Sequence, residues 1–414
     1  MGRAVLTSHQ ASPSTTDNPL QSTDRVAAID AVRGFALFGV LLVNMYSFGG
    51  DSIAWDGTWD RLCFAIKHAF FESKSWTLFS LLFGFSFATQ MQRWASQAAL
   101  PRMLRRLAIL LAFGSAHALL YDGDILRLYA ELGLVLLVAH RLPTAWLLTA
   151  AVALLAVFPI AHLLAPDREP DDLHAVASVE EAREELLFEQ EESVYATGSL
   201  SEVIAYNAED LVEIPWADIA WPDSGLTVLA LFLLGMCLAR SGVLEHPADH
   251  RPLFTRVGRW GLGVGVLAVA GEAALGWAAG YDAYRQNEAG VATTLCGDLL
   301  FTSGTLLLAA GYAATLFVAA DTASGRRWLS PLAAVGRMGL TVYLTQTLAF
   351  TTLFYGYGVG QAYRLGPLTI TMAAIVIFSV QVVACSWWLR HFPQGPAEWL
   401  WRRGTYAGRP TPSA

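Results

Sequence analysis

Charge is scarce in this chain. Asp, Glu, Lys and Arg make up 15% of its 414 residues, against 54% hydrophobic residues. Residues 299–320, 338–363 and 365–389 contain no charged side chain, and each stretch is long enough for a helix to cross about 30 Å of hydrocarbon. A water-soluble domain of this length is not built from such runs. Cysteine is sparse as well. Cys63, Cys237, Cys296 and Cys385 stand singly with no CxxC spacing, which gives neither a disulfide framework nor a metal site. Walker-type loops, GxGxxG after a strand, HExxH and GxSxG elbows are all missing, so nucleotide hydrolysis, dinucleotide redox chemistry and zinc proteolysis have no support.

What remains is apolar sequence in periodic blocks, with 14 Trp and 12% aromatic residues. The expected fold class is all-α, a polytopic transmembrane helical bundle of about ten spans. These fall near 28–49, 75–93, 104–121, 124–140, 143–164, 224–240, 259–281, 291–320, 333–356 and 366–390. Residues 1–24 read as a polar, disordered cytoplasmic tail, 25–164 as a first five-span half and 224–392 as a second. Residues 393–414 read as an interfacial helix and tail. Residues 58–72 are too mixed to span, and lie along the outer surface or re-enter it.

The net charge of −8 hides an asymmetry. Between Pro166 and Asp223 there are 17 acidic residues and two basic ones, Arg168 and Arg183, so residues 165–223 form an acidic extracytoplasmic loop; segments 178–193 and 199–213 suit short amphipathic helices within it. Basic residues instead cluster in alternate connections, at Arg93, Arg102, Arg105 and Arg106, at Arg141, at Arg240 to Arg259, and at Arg326 and Arg327. Positive-inside bias then puts both termini in the cytoplasm, with membrane lipids as the surrounding partner. An acidic loop on a mildly basic body argues against nucleic acid.

Polar groups inside such a body need a partner or a task. Asp30 and Arg33 open the first span at i, i+3, and Asn44 lies three turns on, near the same face. They form either a local anchor or a polar seam in which Arg33 holds an anion. In the third span His117 follows Arg106 by three turns, about 16 Å further across. The turn Tyr121-Asp122-Gly123-Asp124 can return a carboxylate to that ring. A carboxylate beside a histidine fixes its tautomer and raises its basicity, as general-base chemistry requires; the bland alternative is a helix cap. Glu272 and Asp298 both fall near the midplane, as a proton or cation site or as the lining of a wet cavity. Arg337 starts the ninth span, with Thr341 a turn on and Tyr343 further round. Arg33, Arg106 and Arg337 gather at the inner face, where guanidinium groups fork around oxyanions or merely snorkel. His68, beside Lys67 and before Glu72 and Lys74, reads as solvated.

The stretches Ile29 to Asn44, Thr77 to Gly84, His117 with Asp122 to Leu126, Val335 to Leu344 and Gln394 to Arg402 resemble the YeiB-like bacterial inner-membrane family. That family is in turn distantly similar to multi-span acyltransferases of the heparan-glucosaminide acetyltransferase type, which share an Arg-Gly pair opening the first span, here Arg33-Gly34. The resemblance implies acyl transfer from a cytoplasmic acyl-CoA co-substrate to an extracytoplasmic glycan, lipid or metabolite. Arg33 and Arg337 would face the donor phosphates, and His117, oriented by Asp124 or Asp122, would act on the acyl group. No metal or resident cofactor is implied. The competing expectation is a transporter, or transport-associated protein, using Glu272 and Asp298.

Overall fold

A computed structural model describes residues 19–49, 57–94, 99–164, 186–213, 225–280 and 290–406. All regular structure among them is helical. In chain order it runs α1 (Pro19–Tyr46), α2 (Thr58–Phe70), α3 (Lys74–Arg93), α4 (Ala99–Ala118), α5 (Ile125–Ala139) and α6 (Thr144–Leu164). Then come α7 (residues 186–197), α8 (Leu200–Glu213), α9 (Thr227–Ser241), α10 (Arg251–Ala279) and α11 (Val291–Ala320). The chain finishes with α12 (Ala323–Arg337), α13 (Gly339–Phe354), α14 (Pro367–His391) and α15 (Pro396–Thr405).

Among the described residues, four helices are long and apolar enough to cross a bilayer: α10, α11, α14 and the Ala27–Tyr46 part of α1. Helix α9 and the Thr144–Val157 part of α6 are apolar but shorter. On α14, Met372, Val376, Val380, Val383 and Trp387 are all exposed. Their spacing makes one uncovered stripe, which is what a helix turned toward acyl chains presents.

Close helix approach organises the centre. Gly34 of α1 packs on the backbone of Leu332, and Gly336 of α12 packs on the backbone of Asp30; a Cβ at either would collide with a carbonyl oxygen. A second, aromatic cluster closes one end of the bundle, where Phe48 stacks on Phe354 at 5.3 Å and Tyr195 of α7 stacks on Tyr355 at 4.6 Å. The acidic segment thus contributes α7 and α8 to the folded body. Asn207 of α8 reaches back to the Leu119 carbonyl at 3.3 Å.

One sequence expectation needs correction. The apolar block 333–356 is two helices, because the backbone of Met338 (φ −105°, ψ 32°) leaves helical geometry between α12 and α13. Arg337 therefore ends a helix rather than starting a span. The α13 N-terminus is restarted by Glu398 of α15, whose Oε1 accepts from Leu340 N at 2.7 Å and Thr341 N at 3.0 Å. Residues 58–70, read as lying along the surface or re-entering, form α2, in which Trp59, Leu62, Ile66 and Phe70 are exposed while Lys67 is buried. Asp60 accepts from Leu368 N at the start of α14. The other end of α2 leads to Phe71, which packs on Phe35 and Phe38 part-way along α1. Helix α2 thus runs inward from the end of one long helix toward the middle of another, and α3 begins there after Ser73 (φ 62°).

Candidate functional site

Two cavities lie back to back inside the bundle. The basic one, about 550 Å³, is ringed by Arg33, Arg93, Arg106, Arg337 and Arg402, with Glu398 the one carboxylate in its lining among the described residues. Three of the five are held by named contacts. Arg33 Nη1 donates to Asp30 Oδ1 at 2.7 Å and to the Gly336 carbonyl at 3.3 Å. Arg337, at the end of α12, donates to the Pro393 carbonyl at 2.6 Å. The Arg106 guanidinium lies 3.7 Å from the Trp401 ring centroid, and its carbonyl accepts from Trp401 Nε1 at 2.9 Å. Glu398 is committed to α13 as its cap and accepts from the Thr341 hydroxyl as well. Thr341 is a structural partner of that cap and does not line the cavity.

The second cavity, about 480 Å³, is walled by Phe71, Trp76, Phe79 and Tyr343, with Asn44, Ser75, Asp122 and Asp124 as its polar groups and no cation in its lining. Phe79, Leu126 and Tyr343 line both cavities, so these three side chains form the partition. Arg33 and Asn44, read as one polar seam, fall in different chambers.

His117 and Asp124 meet as the turn between α4 and α5 predicted. Nδ1 lies 2.7 Å from Asp124 Oδ1, while Asp124 Oδ2 caps α5 by accepting from Arg127 N at 2.8 Å. Asp122 does not join them; its Oδ1 accepts from Gly123 N at 2.8 Å. The far side of the ring is also occupied, since Nε2 lies 2.6 Å from the Thr347 hydroxyl of α13. With a carboxylate on Nδ1, a neutral imidazole carries its proton there and accepts from Thr347 at Nε2. The ring is 4% exposed and lines neither cavity. His117 thus stands behind Asp124, and Asp124 is the member of the pair that faces the chamber. Tyr343 packs against the same ring at 4.9 Å.

Glu272 has a different partner from the one its sequence position suggested. Its Oε2 lies 3.6 Å from His68 Nε2, and His68 Nδ1 lies 2.8 Å from Glu72 Oε2. His68 is only partly solvated: Phe64 and Phe301 each stack on its ring at 6.3 Å, and 33% of its side chain stays exposed. Asp298 is half-buried on α11, one turn before Phe301.

Several site residues escaped the sequence reading. Arg93 registered only as a topology marker, Arg402 and Glu398 only within the matched stretch Gln394 to Arg402, and Thr347 not at all. Their partners lie on other helices, so no local spacing announces them.

Residues 238–408 match the family model described as "Protein of unknown function (DUF418)". The "Uncharacterized protein YxaH" of Bacillus subtilis (strain 168) is 30% identical over 94% of this chain and 96% of its own length. The "Uncharacterized protein YeiB" of Escherichia coli (strain K12) is 30% identical over 92% and 96% respectively. An "Uncharacterized 39.9 kDa protein in amylase 3'region" of Bacillus acidopullulyticus is 26% identical over 94% and 96%. No solved structure matches the chain.

Proposed function

The chain belongs to the YeiB-like DUF418 family of proteins of unknown function, and on that premise we propose that it is a transmembrane acyltransferase drawing on cytoplasmic acyl-CoA. In this reading it crosses the bacterial inner membrane ten times with both termini in the cytoplasm. The observation that carries the proposal is the ring of five arginines around one cavity whose single carboxylate is already used as a helix cap. Guanidinium forks bind phosphate oxyanions bidentately, and so many in one hollow select a polyanionic head. An acyl-CoA placed there would direct its thioester toward the partition at Tyr343.

The acceptor hydroxyl or amine, from a glycan, lipid or metabolite, occupies the second cavity beside Asp124 and Asp122. Transfer breaks the thioester C–S bond and joins the acyl carbon to the acceptor heteroatom. The acceptor's proton passes through Asp124 and ends on the departing thiol. His117 is a positioning residue here: it holds Asp124 while Thr347 holds it. The test is calorimetric titration of the purified protein with acyl-CoA, with the free fatty acid as control. Acyl-CoA should bind and the fatty acid should not, and the double variant Arg33→Ala/Arg337→Ala should weaken binding at least tenfold. An acyl-CoA that fails to bind, or that binds the double variant as well as the parent, ends this reading.

One observation favours a second reading, transport. The interruption between α2 and α3 sits part-way along α1 with ionisable groups around it, and broken helices of that kind are where transporters place their sites. Substrate flux lost in Glu272→Gln or Asp298→Asn, together with no acyl-CoA binding, would favour it.

A further inference from the structure

Five ionisable side chains meet where α2 gives way to α3. Lys67 and Lys74 are 2% and 1% exposed. Lys67 Nζ lies 3.2 Å from Glu72 Oε2, and Lys74 Nζ donates to the His68 carbonyl at 3.1 Å. Both ammonium groups also sit over aromatic rings, Lys67 over Tyr46 and Phe64 and Lys74 over Phe301. Glu272 of α10 comes in from the opposite side, buried, and its Oε2 makes no hydrogen bond among the described residues.

His68 stands between the two carboxylates. Nδ1 is 2.8 Å from Glu72 and Nε2 is 3.6 Å from Glu272. A neutral imidazole has one N–H and one lone pair, so it can serve one carboxylate and must turn its lone pair on the other. Only the imidazolium presents N–H groups to both. We propose that His68, Glu72 and Glu272 form a proton-binding site inside the helical bundle, whose bound proton sits on the imidazole and ties α2 to α10. The site shares no residue with the two cavities, so it stands or falls apart from the acyl-CoA reading.

The surroundings suit a proton better than a metal cation. Lys67 on α2 and Lys74 on α3 flank the same carboxylates and would repel a second cation. Helix α11 contributes Phe301 and Tyr312, whose hydroxyl donates to the Phe70 carbonyl at 3.1 Å, and Asp298 lies a turn before Phe301. The His68 and Glu72 side chains are 33% and 34% exposed, which leaves the proton an entrance. When the proton leaves, Glu272 faces a lone pair inside a buried setting. An unpaired buried carboxylate is costly, so the α2 contact loosens or Glu272 takes up a proton itself. Proton occupancy and the seating of α2 are therefore linked.

The test uses the full chain in lipid nanodiscs. Histidine-selective ¹⁵N NMR, with His68→Gln to assign the resonance, follows the ring through pH. His68 should remain an imidazolium at least one pH unit above the ordinary histidine value of about 6.5. Hydrogen exchange should show α2 losing protection as that ring deprotonates, while α9 stays unchanged. In Glu272→Gln the His68 titration should move down by about one unit, a tenfold loss of proton affinity, and α2 should no longer respond. Glu72→Gln serves if that variant does not fold. A wild-type His68 that titrates at or below the ordinary value, or an α2 equally protected on both sides of its titration, overturns the proposal.

Discussion

The two cavities are close in volume, about 550 and 480 Å³, and share a partition, yet their charges are opposite. One gathers arginines from α1, α3, α4, α12 and α15; the other gathers carboxylates from a single turn. Arginine can be supplied from many helices because its long stem reaches along apolar surface while the head finds a carbonyl or a ring. A short carboxylate has no such reach, so Asp122 and Asp124 must be built into the backbone turn that lines the chamber. A ligand spanning both chambers can enter in one sense only, with its anionic end toward the arginines. The polarity of the site is set by side-chain length as much as by sign.

The largest expected effect that would break this comparison is at Asp124. Asp124→Ala removes the α5 cap, worth about 1 kcal/mol. It also strips Nδ1 of a buried histidine of its partner, worth about 1–3 kcal/mol. Unfolding of the purified variant should show a loss of about 3 kcal/mol. Its affinity for coenzyme A should stay within twofold of the parent, because the arginine chamber is untouched. A tenfold weaker affinity would mean that the two chambers are not separate sites.

A smaller effect sharpens the same contrast from the other side. Glu398→Gln keeps a carbonyl oxygen for Leu340 N and Thr341 N but removes the one negative charge from the arginine chamber. Stability should fall by less than about 1 kcal/mol, since the cap survives in neutral form. Anion binding should tighten a few-fold. Weaker binding would mean that Glu398 positions the arginines rather than opposing their ligand.

The difference in reach also explains what the sequence revealed. Asp30 with Arg33 is a pair three residues apart, and His117 with Asp124 is joined by one turn, so both were legible from spacing. Thr347 is 230 residues from His117 and was not. The pairing of His68 with Glu272 and Phe301 was not legible, because those partners sit on α10 and α11, which are distant in the chain. The break at Met338 was hidden for a different reason. Residues 338–363 carry no charge and look like one continuous apolar run, and the device that restarts the helix is a carboxylate 58 residues further on, on α15. The helical class followed from composition, but where backbone geometry fails within an apolar run depends on tertiary capping that no period records.

The smallest effect concerns α8, which covers the turn of the carboxylate chamber through Asn207 and the Leu119 carbonyl. Its N-terminus is a reciprocal cap in which Glu202 Oε2 accepts from Ser199 N at 2.7 Å and Glu202 N donates to Ser199 Oγ at 3.4 Å. The side-chain and backbone hydrogen bonds from Ser199 hold the Glu202 carboxyl below its ordinary range. The sign follows: a carboxyl lowered on folding stabilises above its unfolded value and loses that contribution as pH falls through the folded one. Hydrogen exchange should show the first turn of α8 losing protection as the solution is acidified below the ordinary glutamate range. Glu202→Gln retains the capping geometry without the titration, so its exchange should stay flat over the same interval, and Glu202→Ala should be poorly protected throughout. If acid loosens the Asp122–Asp124 turn along with α8 in the parent but not in Glu202→Gln, the acidic segment is part of the chamber wall. If α8 loosens alone, the cover and the chamber are mechanically independent, and the contrast between the two cavities belongs to the membrane helices only.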